Sequence, residues 1–352
     1  MFVRPRILSI LTTRRCTAAC DHCCIGASPR ATGAIPVPRI HSLIDEAAKI
    51  PTIDRIVFTG GECFLLGEDL DRLIRHAHLT GFETRVVTNG YWAVNERAAA
   101  QRARALLAAG LDEMMLSTGT FHQQFVPVER IIAAARAVAA EGIAVRISIE
   151  VCDQATFDGA ILRDALRDLV EAKRVYLAYD PWIPDAGGRG TTALSHDRSP
   201  AGAAAPAGAR CGQILTILSV TPDQKLTACC GFPLEELDGL QIGSIADRAL
   251  DELLAAAPNH LLQMWLHVAG PGGVARFVAR HVPGYTLGTY PSICQACVAL
   301  QLDPDAMRVV SQHADEIVAT VASEFVRLQS AVPHSERRAG TPATLNARRL
   351  PT

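Results

Sequence analysis

The sequence predicts an α/β fold on a parallel sheet, followed by a smaller α+β region. Three observations carry this. From Ile7 to about Asp180, strand-like and helix-like patterns alternate without a break, and such alternation is the signature of βα units and a parallel sheet. After Pro184 the composition changes to Gly, Ala, Ser and Pro as far as Ala209, which reads as a linker or mobile loop. A further region, about 210–330, then follows with its own cysteines.

The elements come in order. A short apolar run marks a first strand at Ile7–Thr12, with others at Arg55–Thr59, Glu83–Thr88, Glu113–Ser117, Ile143–Val151 and Arg174–Asp180. Helical stretches lie between them near Pro38–Lys49, Asp69–Leu79, Glu96–Ala109, Val128–Glu141 and Phe157–Ala172. Order alone suits a barrel segment or an open doubly wound sheet. In Ile143–Val151, Val145, Ile147 and Ile149 alternate with Arg146, Ser148 and Glu150. A strand covered by helices on both faces would read as a continuous apolar run. Its polar face therefore looks onto a wet or charged lumen, or belongs to an edge strand. The domain expectation is a core over 1–184, a linker over 185–209, an extension over 210–330 and a disordered, aperiodic tail over 331–352.

The chain has 352 residues and a formal net charge of −2, enough for one large or two smaller cores. Near-neutral charge gives no reason to expect nucleic acid or an anionic membrane as partner. No stretch approaches the roughly 20 apolar residues of a membrane span. The apolar run at Ile7–Leu11 is closed by Arg14 and Arg15 and does not read as a secretory signal. Eleven cysteines in close CxxxCxxC and CxxC spacings point to reduced, metal-binding thiols in a cytoplasm rather than disulfides.

Cys16, Cys20 and Cys23 follow the first strand as CxxxCxxC. Three close thiolates can hold three irons of a [4Fe–4S] cube and leave the fourth iron open, whereas a structural cluster takes four. A structural zinc site also wants four ligands, with His22 the one local candidate for the fourth. Gly60, Gly61 and Glu62 end the second strand.

Together, the cysteine triplet and the Gly-Gly-Glu turn resemble the radical S-adenosylmethionine (SAM) enzymes. The resemblance implies a partial (β/α)6 TIM-like barrel, a SAM-binding [4Fe–4S] cluster on Cys16, Cys20 and Cys23, and SAM on the open iron. It also implies reductive cleavage to a 5′-deoxyadenosyl radical that abstracts hydrogen. Barrel sites collect at the C-terminal ends of strands, and each motif here ends a strand. By resemblance, Gly60, Gly61 and Glu62 bind the SAM amino group and His22 lies near the adenine. Asn89, after the third strand, is either a cofactor contact or a turn residue. Ser117, after the fourth, is a ribose candidate, but Gly119 stands where related enzymes carry an aspartate. Arg146 and Ser148 face the same cofactor side. His122 either faces the substrate or caps the next helix.

A second set of thiols is Cys211, Cys229 and the CxxC pair Cys294 and Cys297, with Cys230 as a substitute ligand. The stretch Thr221–Cys230 resembles the hairpin of SPASM or twitch extensions, although Gln224 replaces the usual glycine. The resemblance implies one auxiliary [4Fe–4S] cluster, and a four-thiolate zinc site is the alternative. Cys63, Cys152 and His122 are the weak catalytic candidates; a thiol near a substrate radical could return a hydrogen atom.

Such extensions are frequent in enzymes that modify ribosomally made peptides. The expectation is thus an oxidoreductase of peptide maturation that forms a crosslink, a thioether or an epimerised centre. It would take electrons from a flavodoxin or ferredoxin. Because the first motif starts at Cys16, no leader-binding domain is expected ahead of the barrel. Peptide recognition then falls to the C-terminal region or a separate leader-binding protein. The alternatives are a radical SAM enzyme acting on a small metabolite and a non-catalytic zinc-binding interaction protein.

Overall fold

In the computed structural model, six parallel strands stand side by side in chain order: β1 (Ile7–Leu11), β2 (Arg55–Thr59), β3 (Glu83–Thr88), β4 (Glu113–Thr118), β5 (Ala144–Val151) and β6 (Val175–Pro181). The described residues are 3–151, 156–181, 209–230, 237–256, 261–290 and 292–331. Between the strands run α1 (Val37–Ala48), α2 (Glu68–Leu79), α3 (Glu96–Ala109), α4 (Val128–Ala140), α5 (Ala160–Ala165) and α6 (Arg167–Glu171). A doubly wound sheet reverses its strand order at a switch point, and β1 to β6 contain no reversal. Parallel crossovers are nearly all right-handed, so an unreversed order puts every helix on one face. Accordingly α1 packs on α2, α2 on α3 and α3 on α4. The result is a partial TIM-like barrel, and the open alternative is excluded.

The helices bury one stripe each. Ile40, Leu43, Ile44 and Ala47 of α1, and Leu70, Leu73, Ile74 and Ala77 of α2, repeat at helical spacing and are fully buried. They share one core with Leu8, Ile10, Ile56, Phe58, Met114, Leu116, Val145 and Ile147 of the strands. Each of the Leu, Ile, Val, Phe and Met side chains contributes about 1.5–3 kcal/mol on burial. Asn95 caps α3 by accepting the Ala98 N–H, and Gly110 ends it at φ 89°. The single helix expected over Phe157–Ala172 is two short ones, interrupted at the fully buried Leu166.

The opposite face of the sheet mixes polar and apolar side chains. At its N-terminal end, Arg55 pairs with Glu83 and Arg85 with Glu113, both at 2.6 Å. These charges close the foot of the lumen, and the chemistry is left to the other end.

The extension does not form a separate sheet. Strand β7 (Ile217–Val220) pairs in parallel with β1, and β8 (Lys225–Thr227) and β9 (Gln241–Ser244) follow antiparallel, giving nine strands. Then come α7 (Leu250–Ala256), α8 (Leu261–His281), α9 (Ile293–Leu302), α10 (Pro304–Gln312) and α11 (Val318–Ser330). Helix α11 packs on α8, and Gln329 accepts the Arg4 N–H at 2.7 Å, tying the last helix to the segment leading into β1. The expected linker lies outside the described residues except Ala209, as does the expected tail except Ala331. No described helix is long and apolar enough to cross a membrane.

Candidate functional site

The loop after β1 carries Cys16, Cys20 and Cys23, and the first two are buried. Cys16 Sγ receives the Ala18 N–H at 3.4 Å and the Asn89 side-chain amide at 3.6 Å; Cys23 Sγ receives the Ala27 N–H at 3.3 Å. Amide donors aimed at sulfur suit thiolate ligands and tune iron–sulfur centres. Burial pushes the Cys16 thiol up to about 11, with the Glu62 and Cys23 charges adding to it. A metal takes the thiolate, so loading this loop releases protons. The donor set fits an iron–sulfur cluster.

Gly60 and Gly61 carry the end of β2 against the start of that loop. Gly61 N–H donates to Thr13 O at 2.6 Å and Glu62 N–H to Arg15 O at 2.9 Å. A Cβ on Gly60 would lie 2.6 Å from Thr13 O, and one on Gly61 2.3 Å from Arg15 O. Only residues without a side chain allow this approach.

Glu62 is 1% exposed. Its carboxylate accepts Thr88 Oγ1–H at 2.8 Å, the Phe64 N–H at 3.1 Å and the Asn89 N–H at 2.9 Å. Burial raises its pKa to about 7 against the pull of these three bonds. Asn89 is buried and donates its amide to Thr17 Oγ1 at 3.0 Å as well as to Cys16 Sγ. Thr88, the last residue of β3, belongs to the Thr88-Asn89-Gly90 turn read from the sequence as a candidate cofactor contact, and it braces Glu62.

His22 stacks on Phe121 at 5.1 Å and meets His122 edge-on at 4.7 Å. His122 does not cap a helix: α4 begins at Val128 behind Pro127, and His122 Nδ1 lies 3.1 Å from Glu150 Oε2 instead. Ser117 and Ser148 are register partners across β4 and β5. Ser148 hydrogen-bonds Asp180, and Arg146 lies 3.7 Å from the same carboxylate. Phe121, Glu150 and Asp180 were absent from the sequence-derived set. The alternation of β5 already marked Glu150 as lumen-facing.

Cys63 leaves the candidate set. It is fully buried in the main core and its thiol donates to Val87 O at 3.3 Å, because the turn after Glu62 sends it to the helix side of the sheet. Cys152 lies outside the described residues.

The second thiol set converges. Cys211 before β7, Cys229 after β8, and Cys294 and Cys297 on the first turns of α9 line one apolar pocket with Ile214, Leu240, Leu266 and Val298. Cys230 is exposed and does not line it. Gln301 donates to Cys297 Sγ at 3.1 Å. Burial pushes Cys294 up to about 11 and Cys297 to about 12. Four thiols around one apolar space suit the wider spacing of an iron–sulfur cluster; no three of them lie within 4.8 Å of one another, as a tetrahedral zinc would need.

Residues 10–157, which hold the end of β1, the triplet, the Gly-Gly-Glu turn and β2 to β5, match the radical SAM superfamily. YydG of Bacillus subtilis (strain 168), named for peptide biosynthesis, is 31% identical over 121 residues, 34% of this chain. The match spans 38% of that curated relative. Among solved structures, Streptococcus suis SuiB bound to its precursor peptide SuiA aligns over 71% of this chain and 64% of its own, at 13% identity and TM-score 0.54. The enzyme anSMEcpe with bound AdoMet and Cp18Cys peptide aligns over 90% of this chain and 99% of its own, at 13% identity and TM-score 0.50. At such identities these two structures establish a shared fold alone.

Proposed function

We propose that this chain is a radical SAM enzyme that modifies a ribosomally made peptide. One observation carries the reading: in a radical SAM domain, the CxxxCxxC loop sits at the C-terminal end of the first barrel strand with amide donors on its sulfurs. Cys16, Cys20 and Cys23 would hold a [4Fe–4S] cluster with SAM on its open iron. Bound there, the pair would supply radical chemistry for hydrogen abstraction from the substrate. The protein orients and excludes water. Asn89 holds Cys16 and Thr17, and the glycine turn keeps the loop against β2. Ser117, Ser148, Arg146 and Asp180 offer a polar lumen wall for cofactor and substrate.

The peptide reading draws on the relative named for peptide biosynthesis and on the second thiol set, which would hold one auxiliary [4Fe–4S] cluster. Crosslink, thioether and epimerisation all remain within it. A flavodoxin or ferredoxin would supply electrons, and a separate small protein would present a leader.

The test is iron and sulfide content after anaerobic reconstitution, followed by SAM cleavage under reductant. About eight irons per chain, falling to about four in the Cys16/Cys20/Cys23→Ala variant, are expected. Four falling to none would remove the auxiliary cluster and leave zinc or nothing there. No iron at all would end the radical reading.

A further inference from the structure

The end of β4 offers no carboxylate: Gly119 (φ 141°) stands there. The space a side chain would fill is nonetheless taken. A Cβ built on Gly119 would lie 1.8 Å from Oε2 of Glu150 and 2.0 Å from its Cδ. Glu150, near the end of β5, is only 7% exposed, and both of its oxygens are engaged. Oε1 accepts the Phe121 N–H at 2.8 Å, and Oε2 lies 3.1 Å from His122 Nδ1.

Those two partners reach the cysteine loop. Phe121 is buried in a small cluster of its own with Cys16, Ala18, Cys20 and Ala27, apart from the main core. It stacks on His22, which His122 meets edge-on. His22 stands between Cys20 and Cys23. One carboxylate from β5 thus holds the backbone of one residue and the ring of the next, and both rings bear on the loop that carries the thiols.

We propose that Glu150 is a positioning residue of the cofactor site: it occupies the place left open by Gly119 and clamps Phe121 and His122 onto His22, fixing the cysteine loop from the lumen side. The proposal rests on the cofactor reading above for its catalytic meaning but not for its geometry. Buried carboxylates that accept two hydrogen bonds hold their partners firmly, and their loss frees both. Gly119 is required by the same arrangement, because any side chain there would expel the carboxylate.

Hydrogen exchange and electron paramagnetic resonance on the reconstituted full chain test this together. In Glu150→Ala, amide exchange should rise about tenfold or more in 119–123 and in 17–26 together, with α1 and α2 unchanged. Gly119→Ala should reproduce that pattern with Glu150 chemically intact. Glu150→Gln, which keeps one carbonyl oxygen for the Phe121 N–H, should restore most of the protection. The SAM-induced change in the cluster spectrum should persist in Glu150→Gln and be lost or altered in Glu150→Ala at equal iron content. Unchanged exchange in 17–26 for both Glu150→Ala and Gly119→Ala would overturn the clamp. If the wild type takes up no iron, the cofactor reading fails, and the exchange data still decide the clamp.

Discussion

The Glu62 carboxylate accepts the Asn89 backbone N–H at 2.9 Å, joining the end of β2 to the end of β3. Asn89 in turn donates to Cys16 Sγ and Thr17 Oγ1. The glutamate of the Gly-Gly-Glu turn thereby reaches the cysteine loop through a single residue. Its three protein donors make it a brace for that loop.

Replacing Glu62 by Gln tests the brace. The single carbonyl oxygen can still serve Thr88 and Phe64, but an amide NH2 then faces the Asn89 N–H. A buried donor left unsatisfied costs about 1–3 kcal/mol. Urea unfolding should show that loss at pH 7, and an unchanged midpoint would refute the arrangement.

Glu62 also sets a pH dependence. Burial raises its folded pKa from the usual range near 4.5 to about 7. Between those values the folded state binds the proton more readily than the unfolded chain. Its contribution to stability is full below pH 4.5 and is lost as pH rises through about 7, with a slope of at most about 1.4 kcal/mol per pH unit. Unfolding of wild type and Glu62→Gln at a series of pH values should show this component only in the wild type.

Gly61→Ala places a Cβ 2.3 Å from Arg15 O and 2.7 Å from Arg14 O. The neighbours are backbone and can move only by displacing the cysteine loop. Overpacking of this kind costs about 1–3 kcal/mol, and iron retention should fall with it. Gly212→Ala, which meets nothing within 4 Å, serves as the control in both assays.

Gln224 adopts φ 59° in the turn between β7 and β8. This left-handed conformation costs a non-glycine residue about 1–2 kcal/mol. Gln224→Gly should therefore stabilise the chain by up to about 1 kcal/mol once the extra unfolded-state freedom of glycine is subtracted. A calorimetric melting temperature below that of the wild type would contradict this.

Thiol accessibility separates two cysteines that sequence alone treats alike. Cys230 is exposed and Cys63 is fully buried against Val87 O. Desolvation holds the Cys230 thiol up at about 11, so in the folded chain iodoacetamide should label Cys230 at alkaline pH and Cys63 only after denaturant is added. Peptide mass mapping reads both.

Local pattern made much of this protein legible. Runs such as Ile7–Leu11 and Arg55–Thr59 announce strands because apolar and β-branched residues cluster over a short length. The spacing of Cys16, Cys20 and Cys23, and the pairing of Cys294 with Cys297, carry chemical meaning because thiolates this close suit few purposes besides metal. The features that could not be read depend on partners distant in sequence. That Glu150 fills the place beside Gly119 comes from the register of β4 with β5. That Cys63 turns into the core while Glu62 braces Asn89 comes from the 3-10 turn over Cys63–Leu66, which Glu62 caps. That β7 extends the barrel sheet beside β1 comes from pairing across about two hundred residues of chain. Strand register is a long-range choice in which a slip of one residue sends every side chain to the opposite face, so element order is written locally and the facing of side chains only in the folded sheet.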